Sequence, residues 1–562
     1  MPRALLDEAA TLTSALATMA ARYADFECLI VCAGDGSETR LSLADLWRRA
    51  GTVQAVLSAG GMQVGERVIV ILPTGPELLA AYFGVLRAGG VPGLVATPSN
   101  RVANATVYAD RVGAILANAQ ARFVVCDADV AARLRATPSA CAGAVLLGPD
   151  EMRRDGDAPE LRIGSADTIA TVQYSSGSTG MPKGILLTHR AMLNNIRAVR
   201  DGLGLSTADV SVNWIPLYHD MGLIDAFLLP LLSGCPTVLI PTMAFMKDPA
   251  LWLWAIHHYR GTISWAPNFA YTLCASRVAA DTLTGLDLSS WRIAINAAEP
   301  VLASTIERFT ARYAAHGFRA EAMLPAWGLA ENVTIATAHP VGARPFIERI
   351  DRRRLATDNL AVPAAGAGDG LASVAIGRCL PHCAVEIRDA AGRVLPERHV
   401  GTIWLQTNSL FSGYHSDAAQ TARVLVDGWL DTGDQGYLVG PDLFFIARQK
   451  DLVVIGGEKY APHDIETLIN RVPGVREGCV VVFGALNEAR GTEDVCAVVE
   501  TREAAADSRE HLIEAIRVAV AGATGIGLRH VLLVPPGGVE KTTSGKLARS
   551  ATRRRWAAEF PP

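Results

Sequence analysis

Short β-branched runs alternate with helix-patterned runs along most of this chain, and that alternation narrows the possible folds more than any other feature. Glu66–Leu72, Ala121–Cys126, Ala144–Leu147, Thr168–Tyr174, Ser211–Ile215, Thr237–Ile240, Thr262–Trp265 and Trp291–Ile295 read as strands. Glu77–Ala88, Leu251–Tyr259 and Ala303–Ala315 read as helices between them. The order predicts an α/β protein with largely parallel sheets. A chain of 562 residues exceeds what one hydrophobic core organises, so two or more domains are expected.

The first 23 residues, with Asp7 and Glu8 early, read as one amphipathic helix rather than a secretory signal. Gly342–Gly370 breaks the strand–helix rhythm with a basic patch and an Ala/Gly-rich end, and reads as a surface insertion. Shorter strands at Cys383–Asp389 and Gly401–Gln406 then suggest a β-rich subdomain. Beyond Arg448 a fresh strand–helix pattern supplies a separate α+β domain of about 110 residues. The net charge of −4 gives no general attraction to nucleic acid, and no apolar run reaches the roughly 18 residues of a membrane span. Ten cysteines lie scattered, several in apolar strands, as expected of free thiols in a cytoplasmic protein.

Between the strand-like segments Thr168–Tyr174 and Ile185–Thr188 lies the run Ser175-Ser176-Gly177-Ser178-Thr179-Gly180-Met181-Pro182-Lys183-Gly184. Its glycines allow close backbone approach to a ligand. Its hydroxyls, free N–H groups and Lys183 can all donate to phosphate oxygens. The spacing is not that of a P-loop, which runs GxxxxGK[ST] directly into a helix. A flexible polar linker is the other reading, but a linker has no reason to sit between two buried strands.

Five further segments follow in order: 214–222 (WIPLYHDMG), 296–300 (NAAEP), 326–331 (AWGLAE), 431–436 (DTGDQG) and 541–546 (KTTSGK). Together with the glycine run they resemble the acyl-adenylating superfamily of acyl-CoA ligases, nonribosomal adenylation domains and luciferases, from about residue 10 to 556. Within it, 218–223 (YHDMGL), 266–271 (APNFAY), 286–292 (LDLSSWR) and the insertion at about 342–370 are similar to segments of fatty acyl-AMP ligases.

The resemblance implies a large multi-sheet N-terminal adenylating domain over residues 1–447, a hinge at 448–451 containing Lys450, and a small mobile lid at 452–562. It implies ATP, Mg²⁺ and a fatty acid-like carboxylic acid bound between the two domains. Attack of a carboxylate on the α-phosphorus brings two anions together, so catalysis there is positioning and charge neutralisation. On this resemblance Ser175, Ser176, Gly177, Ser178, Thr179, Gly180 and Lys183 cradle the β- and γ-phosphates. Asn296, Ala297, Ala298 and Glu299 flank adenine with Trp327 and Gly328. Asp434 and Arg448 hold the ribose, and Glu331 holds Mg²⁺. Lys546 is the catalytic lysine of the lid, and His219 stands near the carboxylate; a lone histidine there can equally be structural.

The acyl pocket is expected to involve Met243, Phe245, Trp265, Phe269 and Tyr271, apolar residues that suit an apolar acid. Core packing is the commoner role for such rings. The implied acyl acceptor is the phosphopantetheine thiol of an acyl carrier protein. Two departures bear on this: Ala447 stands where the family has Gly, and 456–460 (GGEKY) looks closer to the coenzyme A ligase form. Coenzyme A is therefore the alternative acceptor, and a catalytically silent adenylate-binding interaction protein is a third reading.

Overall fold

Strands covered by helices on both faces must be apolar at nearly every position. Phe123–Cys126, Ile263–Ala266 and Ile293–Asn296 meet that demand, being buried throughout. The structure, a computed structural model, describes residues 3–98, 105–137, 141, 143–153, 159–175, 183–366, 370–487, 490, 492–542 and 545–560. Among these, nine strands form the largest sheet, in the order Arg378–Cys379, Ile335–Ala338, Met323–Gly328, Ile293–Asn296, Ile263–Ala266, Ser211–Asn213, Thr237–Leu239, Glu27–Cys32 and Glu38–Ser42. From Met323–Gly328 to Glu27–Cys32 the neighbours run parallel, and antiparallel strands close both edges.

A second parallel sheet has the order Val91–Leu94, Arg67–Ile71, Phe123–Cys126, Val145–Leu147. The helix Pro76–Arg87 is buried at every position except Glu77, as an element apolar all round must be. Each large side chain it hides, such as Phe83 or Leu79, contributes about 1.5–3 kcal/mol. Thr188 caps the helix His189–Leu203, its hydroxyl accepting from the Ala191 N–H at 3.1 Å. This is the helix expected at that threonine, and Gly204 ends it in the left-handed region.

The strands flanking the glycine run, Ile169–Ser175 and Lys183–Thr188, pair antiparallel with Ser175 opposite Lys183. Gly413–Tyr414 adds to the other edge of Lys183–Thr188. The β-rich subdomain is an antiparallel sheet of Cys383–Arg388, Gly401–Thr407, Trp429–Val439 and Leu425–Val426, with Asp442–Arg448 also paired to Trp429–Val439.

Two expectations change. The N-terminal segment is two helices, Arg3–Glu8 and Leu12–Arg22, because Thr11 and Ser14 make a reciprocal capping box that starts the second one afresh. The stretch 342–370, expected as a surface insertion that breaks the strand–helix rhythm, carries a strand and a helix among its described residues. Ile347–Asp351 pairs with Gly370–Val374, and Arg352–Asp358 is a helix capped by the Asp351 side chain. Ile350 there is fully buried; its partner strand lies beyond the Ala/Gly-rich run, out of reach of a local pattern.

Residues beyond Arg448 build their own sheet of Val475–Asn487, Thr492–Thr501 and Leu528–Val534. The helices Pro462–Ile469 and Ala506–Thr524 cover it through Ile465, Ile469, Ile516 and Val520. Arg308 reaches across from the helix Ala303–Tyr313 to pair with Glu477.

Candidate active site

In a parallel sheet the crevice outside the carboxyl ends of the strands is the natural place for a ligand. Four adjacent strands of the large sheet deliver their following residues there. Ser211–Asn213 leads to His219 and Asp220, Ile263–Ala266 to Phe269, Ile293–Asn296 to Glu299, and Met323–Gly328 to Glu331. Four of the sequence segments, far apart along the chain, thus share one edge.

Asp220 caps a π-helix, Met221–Leu228, accepting from the Met221 N–H at 2.6 Å. His219 Nδ1 lies 2.6 Å from Asp220 Oδ1, and His219 Nε2 lies 2.8 Å from Lys546 Nζ. An ammonium has no acceptor to offer, so Nε2 must accept and Nδ1 must carry the proton given to Asp220. The result is a carboxylate–imidazole–ammonium row. Burial alone would raise Asp220, but His219, Lys546 and the Met221 N–H hold it below the usual carboxylate range. Burial pulls Lys546 below the ordinary lysine value, opposed by the carboxylates of Asp220 and Glu299.

Lys546 is presented by a tight turn. The Gly545 N–H donates to the Thr542 carbonyl at 2.9 Å, the Thr542 N–H to the Lys546 carbonyl at 2.7 Å, and Lys541 bridges Leu547. Gly545 has φ +91°, and a Cβ there would stand 2.9 Å from Phe269 Cζ, so the turn rests directly on that ring. Phe269 in turn donates its backbone N–H to the Glu299 carboxylate. Burial raises the Glu299 carboxyl despite that hydrogen bond and the nearby Lys546 and Lys541.

Asn296 and Ala297 are buried, and Ala298 turns the chain with φ 70°. Asn296 Nδ2 donates to Asn268 Oδ1 at 3.3 Å, while Asn296 Oδ1, also buried, has no partner among the described residues. That orphaned acceptor suits a ligand amino group, such as that of adenine. Trp327, at the end of the strand that finishes on Gly328, donates its indole N–H to Asp434 Oδ2 at 2.9 Å. Arg448, register partner of Asp434, sits 3.5 Å from Oδ1. Burial pushes the Asp434 carboxyl up, against the pull of Arg448 and the Trp327 N–H.

Glu331 Oε1 accepts from the Tyr414 hydroxyl at 2.7 Å, and Lys183 Nζ lies 5.0 Å from the centre of the Tyr414 ring. Tyr414 therefore ties the end of the glycine run to Glu331, a link that sequence reasoning missed. Only its short pairing with Lys183–Thr188 reveals it. The oxygen donor on Glu331 fits a hard cation such as Mg²⁺. Ser176, Gly177, Ser178, Thr179 and Gly180 lie outside the described residues, and Ser175 is placed only by its strand backbone.

The expected acyl residues divide. Phe269 borders the turn at Gly545 as described. Phe245 is fully buried, stacked on Trp214 at 3.8 Å between ring centres, and Tyr271 packs 5.5 Å from Trp252. Trp265 is fully buried, its backbone N–H held by Asn213 Oδ1. Met243 is 66% exposed on the helix Thr242–Lys247. Lys450 lies in the single turn Gln449–Asp451 after Arg448; burial lowers its pKa, with Arg448 adding to the effect. Arg549 binds Glu466 at 2.5 Å and Asp451 at 3.7 Å, anchoring the segment that carries Lys546 to the residues beside Lys450.

The family described as AMP-binding enzyme matches residues 16–415. A Caulobacter vibrioides protein carrying an acyl-CoA synthetase name is 33% identical over 92% of this chain and 90% of its own length. The medium-chain-fatty-acid–[acyl-carrier-protein] ligase JamA of Moorena producens is 30% identical, covering 92% of this chain and 90% of its own. A solved structure from work on fatty acyl-adenylate ligases of E. coli and L. pneumophila superposes with a TM-score of 0.92 at 30% identity, over 98% of both chains. No helix among the described residues is long and apolar enough to cross a membrane.

Proposed function

The chain belongs to the AMP-binding enzyme family, an adenylate-forming ligase of fatty acyl-AMP ligase type, and we propose that it activates a fatty acid-like carboxylic acid with ATP and passes the acyl group to the phosphopantetheine thiol of a carrier protein. In the first half-reaction a carboxylate oxygen bonds to the α-phosphorus as the bond to pyrophosphate breaks. In the second the thiolate attacks the acyl carbonyl and AMP leaves. The observation that carries the reading is the approach of Lys546 Nζ to His219 Nε2 at 2.8 Å, from separate domains onto one strand edge.

In this reading the substrate carboxylate takes the place of His219 Nε2 as acceptor for the Lys546 ammonium, which then spans the carboxylate and the α-phosphate as charge builds between them. Asp220 keeps His219 in the Nδ1-protonated form, so Nε2 offers its lone pair to the ammonium until the substrate carboxylate replaces it. Asn296–Glu299 and Trp327 hold the adenine, and Asp434 with Arg448 the ribose. Mg²⁺ held by Glu331 would offset phosphate charge. Phe269 borders the acid, with Phe245, Tyr271 and Trp265 forming the aromatic wall behind it, and the chain swivels at Lys450 between half-reactions.

The carrier protein is supported by a relative and by the resemblance: the JamA name includes an acyl carrier protein, and the insertion at about 342–370 is similar to one in fatty acyl-AMP ligases that goes with poor transfer to coenzyme A. Coenzyme A is the second reading, favoured by the GGEKY turn at 456–460. Two assays test the function. Acid-dependent exchange of labelled pyrophosphate into ATP, across a panel of acids, reads the first half-reaction; its absence for every acid overturns the enzyme role. Labelled acyl transfer to holo-carrier protein against coenzyme A reads the second; efficient thioester formation with coenzyme A alone overturns the carrier assignment.

A further inference from the structure

Asp225 is a carboxyl group 1% exposed in the π-helix Met221–Leu228, amid Leu, Ile and Phe. Its Oδ1 lies 2.8 Å from Thr334 Oγ1, and its Oδ2 has no partner among the described residues. Thr334 Oγ1 is also 2.6 Å from Asn195 Oδ1. The other end of that amide, Nδ2, faces the Ile335 carbonyl at 3.2 Å. A carbonyl only accepts, so this end must be the nitrogen and the end against Thr334 the oxygen. An amide oxygen has no proton to give, so Thr334 must donate its single hydroxyl proton to Asn195. The Thr334–Asp225 contact is then a hydrogen bond only if Asp225 is the donor.

What the contact holds is strained. Val333 has φ 69° and ψ −63°, a backbone conformation hostile to a β-branched residue. The Thr334 N–H closes this three-residue turn on the Asn332 carbonyl at 2.8 Å. Such geometry persists only where neighbours over-determine it. Here Ser409 donates to Asn332 Oδ1 at 2.8 Å on one side, and Asn195 and Asp225 grip Thr334 on the other. Two residues before the strained position stands Glu331.

We propose that Asp225, as the neutral acid, is a positioning residue whose proton begins a one-way chain through Thr334 and Asn195 to the Ile335 carbonyl, pinning the strained turn that aims Glu331. It rests on the reading of Glu331 as the Mg²⁺ carboxylate. Burial pushes the Asp225 carboxyl well above its ordinary value, and the nearby Asp220 charge adds to this. An ionised Asp225 would instead set a charge against hydroxyl lone pairs with its second oxygen buried and unpaired, an expensive arrangement.

Three variants and a control test this in the full-length enzyme. Asp225→Asn keeps a donor toward Thr334, whereas Asp225→Ala and Thr334→Val break the chain. Infrared difference spectra at neutral pH should contain a protonated-carboxyl carbonyl band that Asp225→Asn lacks. The Mg²⁺ concentration for half-maximal pyrophosphate exchange should rise about tenfold in Thr334→Val and Asp225→Ala, the usual scale for an outer-sphere partner of a metal ligand, and return close to wild type in Asp225→Asn. Absence of the band, or Asp225→Asn as impaired as Asp225→Ala, overturns the proposal, as does unchanged Mg²⁺ dependence in Thr334→Val when Glu331→Gln is affected. If Glu331→Gln leaves Mg²⁺ dependence untouched, the metal reading is at fault, and the chain stands or falls on the carbonyl band.

Discussion

Lys546 Nζ meets His219 Nε2 at 2.8 Å although 327 positions separate the two residues, so the C-terminal segment sets its lysine at the carboxyl edge of the large sheet. The geometry makes the ammonium a donor waiting for a better acceptor than an imidazole, and a carboxylate is one.

Lys546→Ala should therefore lower acid-dependent pyrophosphate exchange by about 10²–10³-fold, the scale for losing one transition-state donor. Transfer from chemically prepared acyl-adenylate to the thiol acceptor should fall far less. Equal loss in both half-reactions would move Lys546 out of its adenylation role.

The pH profile carries the second expectation. In the proposed adenylation step Lys546 acts as the ammonium, and burial lowers its pKa, so exchange should decline on the alkaline side before an exposed lysine would titrate. Asp220 opposes that lowering. Removing its charge in Asp220→Asn should shift the alkaline limb to still lower pH. A limb that stays put, or moves up, contradicts the carboxylate–imidazole–ammonium row.

Gly545→Ala places a methyl group 2.9 Å from the Phe269 ring at a left-handed φ of +91°. Backbone strain of roughly 1–2 kcal/mol imposed on the docked lid alone corresponds to about a tenfold fall in exchange. The thermal midpoint of the large domain should not move. A glycine that tolerated alanine without kinetic effect would mean the turn does not dock on Phe269 during adenylation.

Asp434 sets ligand binding against stability. Its folded-state carboxyl titrates above its unfolded value, so the folded form holds the proton more tightly. That stabilisation is present at low pH and is lost as pH climbs through the raised value. Asp434→Asn has no such loss, so its thermal midpoint relative to wild type should increase from pH 4 to pH 7, while its KM for ATP rises. A constant difference across that range would show that Arg448 and Trp327 fully compensate the burial.

The parallel sheets were legible because their strands announce themselves: Phe123–Cys126 is apolar throughout and Ile293–Asn296 is apolar up to its last residue, with helical patterns between such strands. The motifs singled out His219, Glu331, Asp434 and Lys546 because each sits in a short run of unusual residue types. Pairing at a distance was hidden. Tyr414 has no periodic context, and only its register opposite Ile185 brings it to Lys183 and Glu331. Asp225 interrupts an apolar stretch, and its partner Thr334 lies 109 positions away. The division of residues 3–22 at Thr11 was missed because side-chain capping overrode a continuous amphipathic pattern.

The wide-bore segment Met221–Leu228 has a consequence for how this enzyme can vary. An α-helix turns about 100° per residue, and π-helical winding accommodates one residue more per turn than that pitch allows. Excising a single residue would let the segment relax to ordinary pitch and swing the histidine and aspartate at its entrance around the axis. A one-codon deletion here would thus move groups that a side-chain exchange leaves where they are: the bearing of the His219 imidazole is encoded in a count of residues as much as in their identity.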